Sequence, residues 1–162
     1  MRRWLTACAL SATLVLPAVA QDCPLGESIY GQEESGWALV FMPVPEEYAG
    51  GPFTNAFALW VPDSPLSLEG TVNWTNGFAQ PWGEIYLECE EGADPRSCRV
   101  WEGSVYEVRD GTVSYIAAAD SPAPAQIILP DLGGSLWYSN LRYVHTIEDM
   151  PWDVFTFREC GP

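Results

Sequence analysis

Lysine is missing from this chain altogether. Its seven basic residues are all arginines, set against 22 acidic ones, for a formal charge of −15. Nucleic acid and anionic lipid surfaces are gripped by dense positive charge, so neither is expected as a partner. Histidine occurs once, at His145. A hydrolytic triad would have to be built on that imidazole, with Asp149 behind it, and Gly133-Gly134-Ser135-Leu136-Trp137 lacks the closing glycine of a nucleophile elbow. There is no Cys-x-x-Cys pair, which argues against a metal site. There is no glycine-rich phosphate loop or dinucleotide fingerprint, and no cofactor is expected. Beyond residue 20 no apolar run approaches the length of a spanning helix, so no membrane insertion is expected there.

What the chain does carry begins at its start. Arg2 and Arg3 are followed by an apolar stretch over residues 4–16, then Pro17 and the small-x-small run Ala18-Val19-Ala20. This predicts a signal peptide over 1–20, cut between Ala20 and Gln21. Leu5-Thr6-Ala7-Cys8 superficially fits a lipoprotein box, but the apolar segment runs on past Cys8, and cutting there would leave it on the product. The mature chain, residues 21–162, is read as one domain, periplasmic or secreted. Losing Arg2 and Arg3 takes the formal charge from −15 to −17. Such acidity keeps an exported protein soluble and attracts cationic proteins or divalent cations. The absence of lysine beside abundant Ala, Gly, Pro and Arg fits a G+C-rich bacterial coding bias.

In an oxidising compartment cysteines pair. Cys23, Cys89, Cys98 and Cys160 allow three pairings, of which position favours Cys89–Cys98 and Cys23–Cys160. The first closes a polar loop and the second staples the ends of the domain. Loop-closure entropy makes them worth about 3 and about 5 kcal/mol.

The 14 prolines and 14 glycines interrupt the chain too often for long helices. Between them lie short runs rich in Val, Ile, Thr and aromatics. Strands are expected over 37–42, 53–61, 68–74, 84–89, 98–102, 126–129, 136–139 and 154–158, with a short helix within 140–150. In 68–74 the inward set is Leu68, Gly70, Val72 and Trp74. The clearest signal is 105–116, where Asp110-Gly111 suits a two-residue type I′ turn. That register sets Val108 opposite Val113 and Tyr106 opposite Tyr115 on an apolar, core-facing side. Glu107 and Arg109 then face Ser114 and Thr112 on the polar side. The whole reads as an all-β, disulfide-stapled domain, a two-sheet antiparallel sandwich or jelly roll of about ten short strands.

For function, the most suggestive stretch runs from Asn73 to Trp82. Trp74, Asn76, Phe78, Gln80 and Trp82 place aromatic faces and amides together on a connection between strands, a composition suited to a glycan or small ligand. Packing offers a competing role, since seven mature tryptophans are expected to lie mostly in the core. A glycan-cleaving enzyme would need two carboxylates across a cleft, and Glu84 with Glu88, near Glu102 and Glu107, supplies candidates. Glu90, Glu91 and Asp94, or Glu148, Asp149 and Asp153, offer oxygens for calcium without an EF-hand pattern. The preferred reading is a non-catalytic exported protein acting by surface recognition of a glycan, a small ligand or a cationic protein.

Overall fold

The computed structural model describes residues 23–48, 50–75, 77, 79–90 and 92–161. The expected signal segment and its cut site at Ala20 and Gln21 lie outside the described residues, as do Asn76 and Phe78. The described chain is mostly strand. In order it forms β1 (Ser28–Gly31), β2 (Ala38–Met42), β3 (Phe53–Trp60), β4 (Ser67–Trp74), β5 (Pro81–Tyr86), a helical turn α1 (Pro95–Cys98), β6 (Arg99–Ser104), β7 (Tyr106–Arg109), β8 (Thr112–Tyr115), β9 (Gln126–Ile128), α2 (Leu132–Tyr138), α3 (Leu141–Val144) and β10 (Val154–Cys160). The ten strands pair antiparallel in one sheet, ordered β6-β5-β4-β3-β2-β1-β10-β9-β7-β8. β6 begins that order and β7 stands next to its far end, yet only Val105 separates them in sequence. The sheet therefore curls until it is nearly closed.

Side chains fill the space this curl encloses. Phe41 pairs with Phe57, Phe57 with Gly70, Gly70 with Ile85, and Ile85 with Trp101, one row across five strands. The Phe57 ring occupies the place a side chain at Gly70 would take, and the Trp101 ring and Val105 do the same at Gly83. Tyr30 packs edge-on against both Phe41 and Phe157, with ring centroids 5.7 Å apart in each case. Its hydroxyl donates to the Pro124 carbonyl at 3.1 Å. Burial, with the Glu107 carboxylate nearby, pushes the Tyr30 phenol pKa up.

Both expected disulfides form. Cys23–Cys160 spans a Cα–Cα distance of 5.9 Å and Cys89–Cys98 one of 5.5 Å. They suit an oxidising extracellular or periplasmic space.

Several expected elements differ in detail. β5 spans Pro81–Tyr86 rather than 84–89, and just past its end the Leu87 N–H bonds the Cys98 carbonyl at 2.9 Å. Residues 136–139, expected as strand, end the helix α2 instead. Leu132 and Leu136 stand one helical turn apart and both are buried. Gly133 and Gly134 permit the close approach, since a Cβ at Gly133 would meet the Pro151 carbonyl oxygen at 2.5 Å. The expected helix within 140–150 is confined to α3.

The β7–β8 hairpin has the expected register, and Asp110 and Gly111 both take positive φ, 51° and 75°. The face of β7 turned to the core is not the expected one. Glu107 is buried, while Val113 and Tyr115 are exposed and all of β8 faces solvent. The burial of Glu107 follows from its partners: Oε1 accepts from Arg109 Nε at 3.2 Å and Oε2 from the Ala117 backbone N–H at 3.0 Å. A carboxylate so satisfied can enter the core side of a strand.

Two substitutions test this packing by urea unfolding. Gly70→Ala drives a methyl group into the Phe57 ring and is expected to cost about 1–3 kcal/mol. Glu107→Ala strands the Ala117 N–H and is expected to cost about 1–3 kcal/mol as well. Wild-type midpoints in either variant would contradict the packing described.

Candidate functional site

The connection between β4 and β5 is tight: the Thr75 N–H lies 3.4 Å from the Gln80 carbonyl oxygen, and Gly77 and Ala79 take positive φ. Trp74 keeps the register of Leu68, Gly70 and Val72, but it ends the strand and is 45% exposed rather than enclosed. Trp82 sits on the opposite, outward face of the sheet, half-buried between its cross-strand neighbours Asn73 and Ser104. Sheet pleating thus separates the two tryptophans that lay together in sequence.

Gln80 does join Trp82. Its Nε2 donates to Ser104 Oγ at 3.4 Å, and its Oε1 accepts from the Tyr115 hydroxyl at 3.0 Å. Tyr115 in turn stacks on Tyr106, with ring centroids 5.3 Å apart and planes 19° from parallel. The patch is therefore Gln80, Trp82, Ser104, Tyr106 and Tyr115. Sequence reasoning missed the two tyrosines because it turned that face of the hairpin inward. Beside the patch, Asn73 Oδ1 is buried with no hydrogen-bond partner among the described residues. Its cross-strand neighbours are Phe53 and Trp82.

Next to this surface the carboxylates are committed to an arginine. Glu84 and Glu102 face each other across β5 and β6, a pairing of like charges. Arg99 Nη1 lies between them, 2.8 Å from Glu84 Oε1 and 2.9 Å from Glu102 Oε2. The hydrogen bond to Glu84 pushes the Arg99 pKa up. Burial, followed by a hydrogen bond to Glu84, raises that of Tyr86. Glu88 lies beyond the end of β5 and Glu107 is buried on β7, so the four carboxylates do not gather across a cleft.

The remaining candidates are dispersed. Ser135 lines a groove with Arg96, Arg99 and Tyr138, whereas His145 shares a separate cleft with its expected partner Asp149 and with Asp63 and Glu148. Asp94 Oδ1 accepts from the Arg96 N–H and Asp153 Oδ1 from the Leu132 N–H. Among the described residues no group of three or more His, Cys, Asp or Glu side chains gathers as a metal site would.

The tryptophans correct the expectation of a core role. Among the described residues only Trp37 and Trp101 are enclosed tryptophans, and both donate their indole N–H, to the Asp149 carbonyl at 2.8 Å and the Pro130 carbonyl at 3.0 Å. Trp60, Trp74, Trp137 and Trp152 are exposed. No known family, curated protein or solved structure matches the chain.

Proposed function

We propose that this is an exported, non-catalytic binding protein, and that the outward face of β5 and β6 with the β7–β8 hairpin is its ligand surface, suited to a glycan. The observation that carries this reading is the Gln80 amide, shared between Tyr115 and Ser104 beside a half-buried Trp82. An indole face packs against the C–H side of a sugar ring, while the amide, phenol and hydroxyl match its hydroxyls. Trp74, Asn76 and Phe78 belong to the same connection in sequence, with Trp74 on the other face of the sheet. We read the curled sheet as two layers sharing one core, with the bend at Val105 as a corner where a strand passes from one layer to the other.

A glycan-cleaving enzyme is the lesser reading. It needs two carboxylates held apart across a cleft, whereas Glu84 and Glu102 are cross-strand neighbours that both contact Arg99 Nη1. The formal charge of −15 supports a second recognition reading, in which a cationic protein is drawn to the acidic surface.

A glycan array followed by titration of the best binder tests the first reading. Trp82→Ala is expected to weaken binding at least about ten-fold, or about 1.4 kcal/mol. Unchanged affinity in that variant would remove this face from consideration. Salt separates the two recognition readings. A glycan complex is expected to keep its affinity between about 0.05 and 0.5 M NaCl, whereas a charge-driven one weakens steeply over that range.

A further inference from the structure

A groove of about 620 Å³ lies between β1 and β10, lined by Gly31, Gln32, Glu33, Glu34, Trp152 and Arg158 among others. Trp152 is 68% exposed, so its ring gains little from burial. Its backbone is nevertheless fixed on both sides by one side chain. The Trp152 N–H donates to Gln32 Oε1 at 3.0 Å, and its carbonyl accepts from Gln32 Nε2 at 2.6 Å. The same amide also donates to the Val154 carbonyl at 3.1 Å and accepts from Ser35 Oγ at 2.6 Å. Gln32 is itself buried, with its donor and acceptor capacity filled. The backbone that carries this solvent-facing indole is thus anchored, which fixes where on the surface the ring stands.

Arg158 shows which chemistry the groove accepts. Its side chain crosses Gly31, where a Cβ would lie 3.1 Å from Arg158 Nε and 3.3 Å from its Cγ. Its Nη1 sits 2.8 Å from Glu33 Oε1. Glu34 lines the same groove and makes no ion pair among the described residues.

We propose that this groove binds a basic peptide, one of whose guanidinium or ammonium groups stacks on Trp152 and pairs with Glu33 and Glu34, taking the place that Arg158 holds against Glu33. Cation–π contact and ion pairing act together at such a site. The acidity of the whole chain steers cations toward it. The proposal rests on the charge-driven recognition reading and gives it a location.

The test is calorimetric titration of the full exported chain with an acetylated, amidated tetra-arginine peptide at low salt, with melting curves to establish that each variant folds. Arg158→Ala frees Glu33 and is expected to tighten binding about two- to five-fold. Trp152→Ala and Glu34→Gln are each expected to weaken it by a similar factor. Tyr138→Ala, which removes another exposed ring, is expected to leave it unchanged. Peptide binding that ignores Trp152 and is not tightened by Arg158→Ala overturns this site and leaves the charge-driven reading standing. Equal weakening by Tyr138→Ala also overturns the site. No binding to the wild-type chain overturns both.

Discussion

Phe57 stands over Gly70, and Trp101 with Val105 over Gly83, and this exchange of rings for missing side chains lets the sheet curl tightly without leaving a hollow. Interiors packed in this way have no room for a guest, and one added methyl group is felt as strain. The chain of contacts from Phe157 through Tyr30 and Phe41 to Phe57 continues the filling across the other strands. The proposed ligand would therefore meet the outside of the sheet. The outer surface is where the sequence has placed Trp60, Trp82 and Trp152, together with the stacked Tyr106 and Tyr115.

The same core organises the excursion between β9 and β10. Buried indoles grip both ends of it, Trp101 at the Pro130 carbonyl and Trp37 at the Asp149 carbonyl. The Leu129 N–H closes its neck on the Asp153 carbonyl at 2.8 Å. Leu132, Leu136 and Leu141 are then drawn into the core, which turns a short stretch into helix. Gln32 takes over where the excursion rejoins β10 and holds Trp152 in place. Residues that close the fold thus also set where an exposed aromatic residue, Trp152, leaves the chain. Cys23–Cys160 ties the two ends of the domain beside the paired strands β1 and β10.

Much of this was legible in the residues. Four cysteines placed near the ends and around one polar loop favoured the pairing that forms. Asp110-Gly111 dictated a turn, and the turn dictated the register, because a type I′ geometry leaves no slack. Alternation in β4 placed Leu68, Gly70 and Val72 inward as they are. What escaped was tertiary in origin. Glu107 reads as a surface charge until Arg109 and the Ala117 N–H are brought to it, and its burial turned Tyr106 and Tyr115 outward. Leu132, Leu136 and Leu141 make a helical pattern only when two glycines between them are tolerated. In sequence, five residues of the 73–82 stretch suggest one surface. The pleat divides Trp74 from Trp82, and Asn76 and Phe78 lie outside the described residues. The exposed tryptophans had no signal of their own, since composition alone favours burial.

The inside of this sheet is filled with side chains, and we propose that recognition falls to its outside. Indole N–H resonances in a heteronuclear spectrum report on it directly, before and after addition of a bound glycan or basic peptide. Two signals, those of Trp37 and Trp101, are expected to resist solvent exchange and to hold their positions, while that of Trp82 shifts with a glycan or that of Trp152 with the peptide. Ligand-induced shifts concentrated on Trp37 and Trp101, with the outer indoles unmoved, would place the ligand inside and rule out recognition by the outer face.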